Sequence, residues 1–172
     1  MARPRKRIDF KKAVVKIQDG SSPQESVSII FGEGSFGFTV STPRVYERDR
    51  GVLDTVSDDE EEPLALDIEA RYTYLTGDGE DVELYDALYG IKTASEWVSS
   101  DQREGRECDP YSVDIIMEYE PDCVPGGVTN PNERATFKYF RIEEFNPVAS
   151  DGTISISGNC NIVHPEIERY NT

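Results

Sequence analysis

The sequence predicts a mainly β protein, an antiparallel β-sandwich or barrel with one short flanking α-helix. Three observations support this prediction: apolar residues alternate with polar ones along most of the chain, turn-forming Gly, Pro and Asn separate the alternating runs, and only one short segment has helical spacing. Alternation with a period of two places apolar side chains on one face of a strand. Antiparallel strands with one polar face are typical of sandwiches.

About seven strands follow from the alternation. The clearest is residues 64–74, where every even position is apolar or Tyr, and residues 111–119 repeat the pattern at odd positions. The shorter alternating runs are 13–17, 27–31, 36–40, 135–139 and 154–162. At 172 residues the chain is long enough for one domain with its own core.

The one helix is predicted at residues 81–90. Asp81 can cap its N-terminus and Gly90 can end it. The residues with i, i+3/i+4 spacing are Leu84, Tyr85, Leu88 and Tyr89. Such a helix would cover one edge or open end of the sheet.

The stretch GEGSFG at residues 32–37 looks like the glycine-rich loop of protein kinases. A kinase also needs a lysine on the next strand and the His-Arg-Asp and Asp-Phe-Gly motifs. The next lysine is Lys92, and neither motif occurs. We therefore predict a hairpin turn at Gly32–Gly34, with Gly37 marking a bulge or a close backbone approach.

The residues for catalysis or metal binding are scarce. His164 is the only histidine, which argues against a Ser-His-Asp triad and against a zinc site. We expect no enzyme activity, no catalytic residues, no metal site and no cofactor. Cys108 and Cys123 bracket the strand at 111–119. They are either ordinary thiols of a reducing compartment or a possible disulfide that staples the protein after it leaves the cell.

Charge is distributed unevenly along the chain, whose formal net charge is −16. The first 16 residues hold seven of the 18 basic residues, which leaves 11 basic against 33 acidic residues in the remainder. A body this acidic repels phosphate backbones, so sequence-specific DNA binding is not expected. The basic residues near the N-terminus form either a solvated terminus or a strap onto an acidic neighbour, such as another copy. No apolar run is long enough for a membrane span, and no secretory signal follows the basic residues, so we expect a soluble protein made in the cytoplasm.

Residues 43–63 are rich in charge and poor in core residues. A loop this long is usually functional or disordered, and its start, 44–50, could extend as a hairpin arm. The acidic run 58–62 has three interpretations: a solvated stretch, calcium binding, or ionic contact with a partner. Calcium is disfavoured because the ligand spacing and glycine of an EF-hand are missing.

Four segments together resemble the tail tube proteins of long-tailed bacteriophages. They are VYERDRGVLDTVSDDEEEPLALDIEARYTYLT at 45–76, LYDALYGIKTASEWVSSD at 84–101, CDPYSVDIIMEYEPDC at 108–123 and ATFKYFRIEEFNPVASDGTISISGNCN at 135–161. Each motif is weak alone, and the resemblance depends on their order and spacing. The first 30 residues do not match the family pattern.

The resemblance implies a structural virion protein. Six subunits would form a ring whose inner sheets join into one large barrel, and rings would stack into a hollow conduit through which DNA is ejected without specific binding. Implied partners are other copies of the chain, tail tip or baseplate, tape measure and terminator proteins, with or without a sheath, and no membrane. We expect the protein in the virion tail, after assembly in the cytoplasm of the host bacterium.

The resemblance also implies a division of the chain. The expected parts are a basic arm at 1–12, a tube domain at 13–163 with a charged inter-ring loop at 43–63, and a C-terminal tail at 164–172. The expected inter-ring contacts are Arg48, Arg50, Gly51, Asp58, Asp59, Glu60, Glu61 and Glu62, and the expected arm contacts are Arg3, Arg5, Lys6 and Arg7. The alternative function is an acidic β-sandwich binding or adhesin module of a virion, with calcium dependence as an option.

Overall fold

Antiparallel β-strands dominate the chain in a computed structural model, which describes residues 13–29, 34–71, 82–102, 108–121, 124, 126, 131–148 and 150–171. Within these residues there are ten strands and one α-helix. The strands are β1 (Val14–Gln18), β2 (Ser26–Ile29), β3 (Ser35–Thr39), β4 (Arg44–Asp49), β5 (Val52–Asp58), β6 (Leu64–Arg71), β7 (Val113–Tyr119), β8 (Asn132–Val148), β9 (Thr153–Cys160) and β10 (Glu166–Tyr170). The helix, α1, is Leu84–Tyr89.

Eight strands form one sheet in the order β2-β1-β7-β8-β9-β6-β3, with β10 paired to β8 outside this path. Every pair is antiparallel. Strands β4 and β5 form a separate two-stranded sheet. The mainly β, antiparallel fold with one short helix is thus confirmed. Among the described residues the edge strands β2 and β3 are not paired with each other, so the sheet is sandwich-like and not a closed barrel.

The 17-residue strand β8 joins the two halves of the sheet. Its first part pairs with β7 and β10, and its second part, from Phe140 onward, pairs with β9. Register shifts and the positive φ of Tyr139 (61°) interrupt it, and such irregularities bend a strand. The sheet therefore folds over itself. The ring of Phe137 lies 5.3 Å from that of Phe36 on β3, the far edge strand.

The predicted alternation accounts for the core. Along β6 the pattern alternates strictly between buried and more exposed residues, and β9 does the same. The largest side chains with almost no exposed surface are Phe137 and Phe140, which lie on either side of the irregular Tyr139. Burying each such aromatic side chain stabilises the fold by about 1.5–3 kcal/mol.

The helix predicted at 81–90 begins at Leu84, and the proposed cap, Asp81, lies outside the described residues. Gly90 ends it in the left-handed conformation (φ 66°), and its amide donates to the carbonyl of Asp86 at 2.7 Å. The helix buries Leu84, Ala87 and Leu88 in the core, and the ring of Tyr85 meets that of Phe145 of β8 edge-on at 5.0 Å. None of the helices in the described part of the chain has the length and apolarity to cross a membrane.

The prediction for the glycine-rich stretch was wrong. Strands β2 and β3 lie at opposite edges of the sheet and do not pair with each other, so they do not form the predicted hairpin; residues 30–33, where the turn was predicted, lie outside the described residues. Strand β3 pairs with β6 in regular register, and a Cβ added to Gly37 would meet only the carbonyl oxygen of Asp67, at 3.9 Å. Within this chain Gly37 therefore marks neither a bulge nor a close approach.

Candidate assembly surfaces

The most exposed element of the structure is the β4–β5 hairpin. Arg50 and Gly51 form its turn, and both have positive φ, 49° and 84°. This conformation suits a two-residue hairpin turn, and glycine reaches it without strain. The segment 43–63, predicted as a long charged loop with a hairpin arm at its start, thus forms a hairpin over most of its length.

Every residue of β4 and β5 is exposed. Among them are five large apolar side chains that are 40–70% exposed: Val45, Tyr46, Val52, Leu53 and Val56. An isolated two-stranded hairpin is at best marginally stable in water, and contiguous exposed apolar residues mark interaction surfaces. The hairpin therefore has the properties of a surface that a partner covers.

Polar contacts hold the hairpin together at its base and middle. Arg44 forms an ion pair with Asp58, and the amide of Asp59 donates to the carbonyl of Pro43 at 3.1 Å. Further out, the Thr55 hydroxyl donates to Glu47 at 3.1 Å. Because exposed pairs of this kind contribute less than about 1 kcal/mol each, these contacts define the register more than they stabilise the hairpin.

All eight residues predicted as inter-ring contacts are exposed and belong to this region. Arg48, Arg50 and Gly51 lie at or near the turn, Asp58 ends β5, and residues 59–62 lead to β6. His164 lies beside the base of the hairpin, where it lines a surface recess with Asp58 and the acidic run. Within the described residues no group of three His, Cys, Asp or Glu side chains is placed to hold a metal ion.

A second surface is the outward face of strands β3, β6, β9 and the end of β8. Residues that pair across neighbouring strands lie on the same face of the sheet, and here they form two rows. One row is Ser35, Glu69, Ser155 and Asn146, and the other is Gly37, Asp67, Ser157 and Glu144. We call these eight residues the acidic sheet face. Part of it forms a shallow recess of about 310 Å³. Among the described residues, Asp67, Glu69 and Glu144 have no ion-pair partner.

The opposite part of the sheet carries balanced charge. Arg134 of β8 contacts Glu118 of β7 at 3.0 Å and Glu168 of β10 at 3.6 Å. Lys138 contacts Glu166 at 2.9 Å. The C-terminal tail at 164–172 thus contains a strand, β10, that has no buried residue and is attached to β8 by backbone pairing and ion pairs.

Two buried carboxylates position the segment between α1 and β7. Asp19 accepts hydrogen bonds from the amides of Glu25 (2.9 Å) and Val98 (3.2 Å), and Asp101 forms an ion pair with Arg141. Burial alone would raise the pKa of Asp101, but hydrogen bonds from Ser99 and Arg141 outweigh it and lower that pKa below its usual value. Both carboxylate oxygens of each acid accept a hydrogen bond, which fits a structural role. The alternation of apolar residues gave no signal for them.

The predicted disulfide stays a prediction. Cys108 is exposed with a free thiol, and Cys123 lies outside the described residues. Burial raises the pKa of the third thiol, Cys160, to about 12, so it is unreactive in the folded protein. The predicted arm contacts Arg3, Arg5, Lys6 and Arg7 also lie outside the described residues.

Comparison with known proteins finds a similar fold among solved structures and no match by sequence. No family model matches the sequence, and no curated protein matches it. A chain from the sheath/tube terminator of PVC, an extracellular contractile injection system in its extended state, superposes with a TM-score of 0.58 and 12% identity, over 95% of this chain and 98% of that one. A chain from the 6-fold symmetrised baseplate of the anti-feeding prophage (AFP) gives a TM-score of 0.46 and 8% identity, over 100% of both chains. The present chain therefore shares its fold, over nearly its whole length, with a chain of the PVC terminator structure.

Proposed function

We propose that this protein is a structural subunit of a phage-tail-like particle, and that it assembles with copies of itself into stacked six-membered rings around a channel for DNA. The observation that carries the proposal is the β4–β5 hairpin, whose exposed apolar residues nothing in the described part of the chain covers. The shared fold with a chain from a tube terminator structure supports it, as does the order of the four motifs in the sequence.

In this proposal, copies join into a ring through the sheet edges. Strands β2 and β3 are the two ends of the sheet, and exposed edges invite pairing with another chain. A ring of joined sheets would form a continuous barrel without free edges. The acidic sheet face lines the channel, where its unpaired carboxylates repel the phosphates of passing DNA. Rings stack through the β4–β5 hairpin and the acidic run 58–62, and the basic N-terminal arm at 1–12 lies against an acidic neighbour.

Electron microscopy of the purified protein tests the proposal directly. We expect rings or hollow tubes in negative stain, and a variant with residues 45–57 replaced by a short Gly-Ser linker should fold but form no tubes. Circular dichroism and the melting temperature serve as the control for folding, because the hairpin buries nothing inside the subunit. A wild-type protein that stays monomeric across concentration and salt would contradict the proposal. A calcium-dependent rise in melting temperature of that monomer would favour a binding module instead.

A further inference from the structure

The two faces of the β4–β5 hairpin differ in chemistry. Directly paired residues share a face of a two-stranded ribbon, so the register assigns each paired side chain to one of the two faces. One face, here the apolar-basic face, consists of Arg44, Tyr46, Arg48, Leu53, Val56 and Asp58. The other, the apolar-acidic face, consists of Val45, Glu47, Asp49, Val52, Thr55 and Ser57. The register shift beside Glu47 leaves Asp54 as an extra residue at the bulge.

The charges of the two faces are complementary. On the apolar-basic face, Arg44 forms an ion pair with Asp58, which leaves Arg48 as the cation of this face without an ion pair. On the apolar-acidic face, Glu47 and Asp49 have no basic residue beside them. Neither Arg48 nor Asp49 forms an ion pair within the described part of the chain.

Both faces also carry apolar area that needs a cover. Tyr46, Leu53 and Val56 are 58–63% exposed on the apolar-basic face, and Val45 and Val52 are 40% and 70% exposed on the other. Two copies that met through the same face would bring like charges together, with Arg48 against Arg48 or the acids against the acids. Like-charge contact is penalised across an interface. Contact between unlike faces buries apolar area and pairs the charges.

We infer that the hairpins of neighbouring copies stack face to face, with the apolar-basic face of one hairpin on the apolar-acidic face of the next. The inference deepens the proposed function, on which it rests, by naming the surface that covers the hairpin. A contact between unlike faces is heterologous, so each hairpin offers a free face to a further copy, and repetition closes a ring or extends a filament. Hairpins stacked in this way would lie about 10 Å apart, the usual spacing of packed sheets.

Charge reversal tests the pairing of faces. Arg48→Glu alone, or Glu47→Lys with Asp49→Lys, places like charges at every contact. We expect either change to raise the protein concentration needed for assembly by about tenfold or more at low salt. The triple variant combines Glu47→Lys, Arg48→Glu and Asp49→Lys, which reverses the charge of both faces. Unlike charges then meet again, and we expect assembly near the wild-type concentration.

The outcomes separate the inference from the proposed function. A triple variant that assembles no better than the two partial ones, while the wild type forms tubes, would overturn the stacking of faces and leave the proposed function intact. A wild type that forms no assembly would overturn the proposed function itself. Unfolding curves of each isolated subunit control for folding, since all three positions are exposed.

Cross-linking gives a second measurement that does not depend on assembly yield. In a background with Cys108→Ser and Cys123→Ser, the variant Tyr46→Cys with Val45→Cys presents one thiol on each face, and Cys160 stays buried. A short bismaleimide should then link copies into a ladder beyond dimers. Tyr46→Cys alone is the control and should give monomers. Efficient dimers from that single variant would show contact between like faces and overturn the inference.

Discussion

Single glycines decide how closely the strands of the central sheet approach each other. Gly158 of β9 lies where a Cβ would meet the carbonyl oxygen of Arg141 at 2.2 Å and the ring of Phe140 at 2.8 Å. The first contact is with backbone and the second with a fully buried ring, so neither can move away easily. Gly37 of β3 has no such neighbour. The two strand glycines therefore have different roles, although they look alike in the sequence.

We predict that Gly158→Ala lowers the free energy of unfolding by about 1–3 kcal/mol, the usual cost of overpacking. For a chain of this size the melting temperature should fall by roughly 2–10 °C. Gly37→Ala is the matched control and should change the free energy of unfolding by less than about 1 kcal/mol. Thermal unfolding followed by circular dichroism measures both. Equal effects at the two positions would contradict the role assigned to Gly158.

Strand alternation predicted the elements with one buried face and also β3, which has no buried residue, but it missed β10 and did not delimit the hairpin strands. Strands β6 and β7 were identified because every second residue enters the core. Strand β10 and both strands of the hairpin have no buried residue, so no apolar period reveals β10, and the sequence predicted only an arm at 44–50 within a charged loop where the hairpin lies. The predicted pairing of β2 with β3 was wrong because consecutive strands usually pair, whereas β2 and β3 lie at opposite edges.

Ion pairs with β8 contribute to the attachment of β10, beside the backbone pairing of the two strands. We predict that Glu166→Gln with Glu168→Gln lowers the free energy of unfolding by about 0.5–1 kcal/mol at low salt, because each change removes an exposed ion pair with β8. The effect should nearly vanish at molar salt, which screens exposed charges.

The matched control for β10 is Glu96→Gln with Glu120→Gln, two exposed acids outside any described ion pair. It removes the same charge from this acidic protein without touching β10. Urea unfolding at two salt concentrations gives the comparison. If the control pair destabilises the subunit as much as the β10 pair does, the ion pairs do not hold the strand.

At the scale of the whole molecule, net charge and its placement have separate consequences. The formal net charge of −16 was evident from composition, and composition alone predicted poor affinity for DNA. The acidic sheet face could not be predicted, because it depends on which strands are neighbours: β3 and β6 are joined in the sheet with β9 and the end of β8, and their outward positions come from distant parts of the chain.

We predict that assembled tubes do not retain DNA, and that tubes retain it once the charge of the acidic sheet face is reversed. Tubes carrying Asp67→Lys, Glu69→Lys and Glu144→Lys should co-sediment with a short DNA duplex at low salt and release it as salt rises. Tubes carrying Glu96→Lys, Glu120→Lys and Asp151→Lys have the same net charge and are the control. Retention by both variants alike would place the acidic sheet face away from the channel.

The β4–β5 hairpin contributes no side chain to the core of its own subunit. Under the proposed assembly its sequence is therefore constrained by contacts with other copies and by the turn at Gly51, and hardly by folding. Related particles in one cell could keep their subunits from mixing through changes at a few hairpin positions, since specificity needs only a favourable match with self and a repulsive one with others. Under the proposed assembly, recognition of self can diverge without loss of the fold.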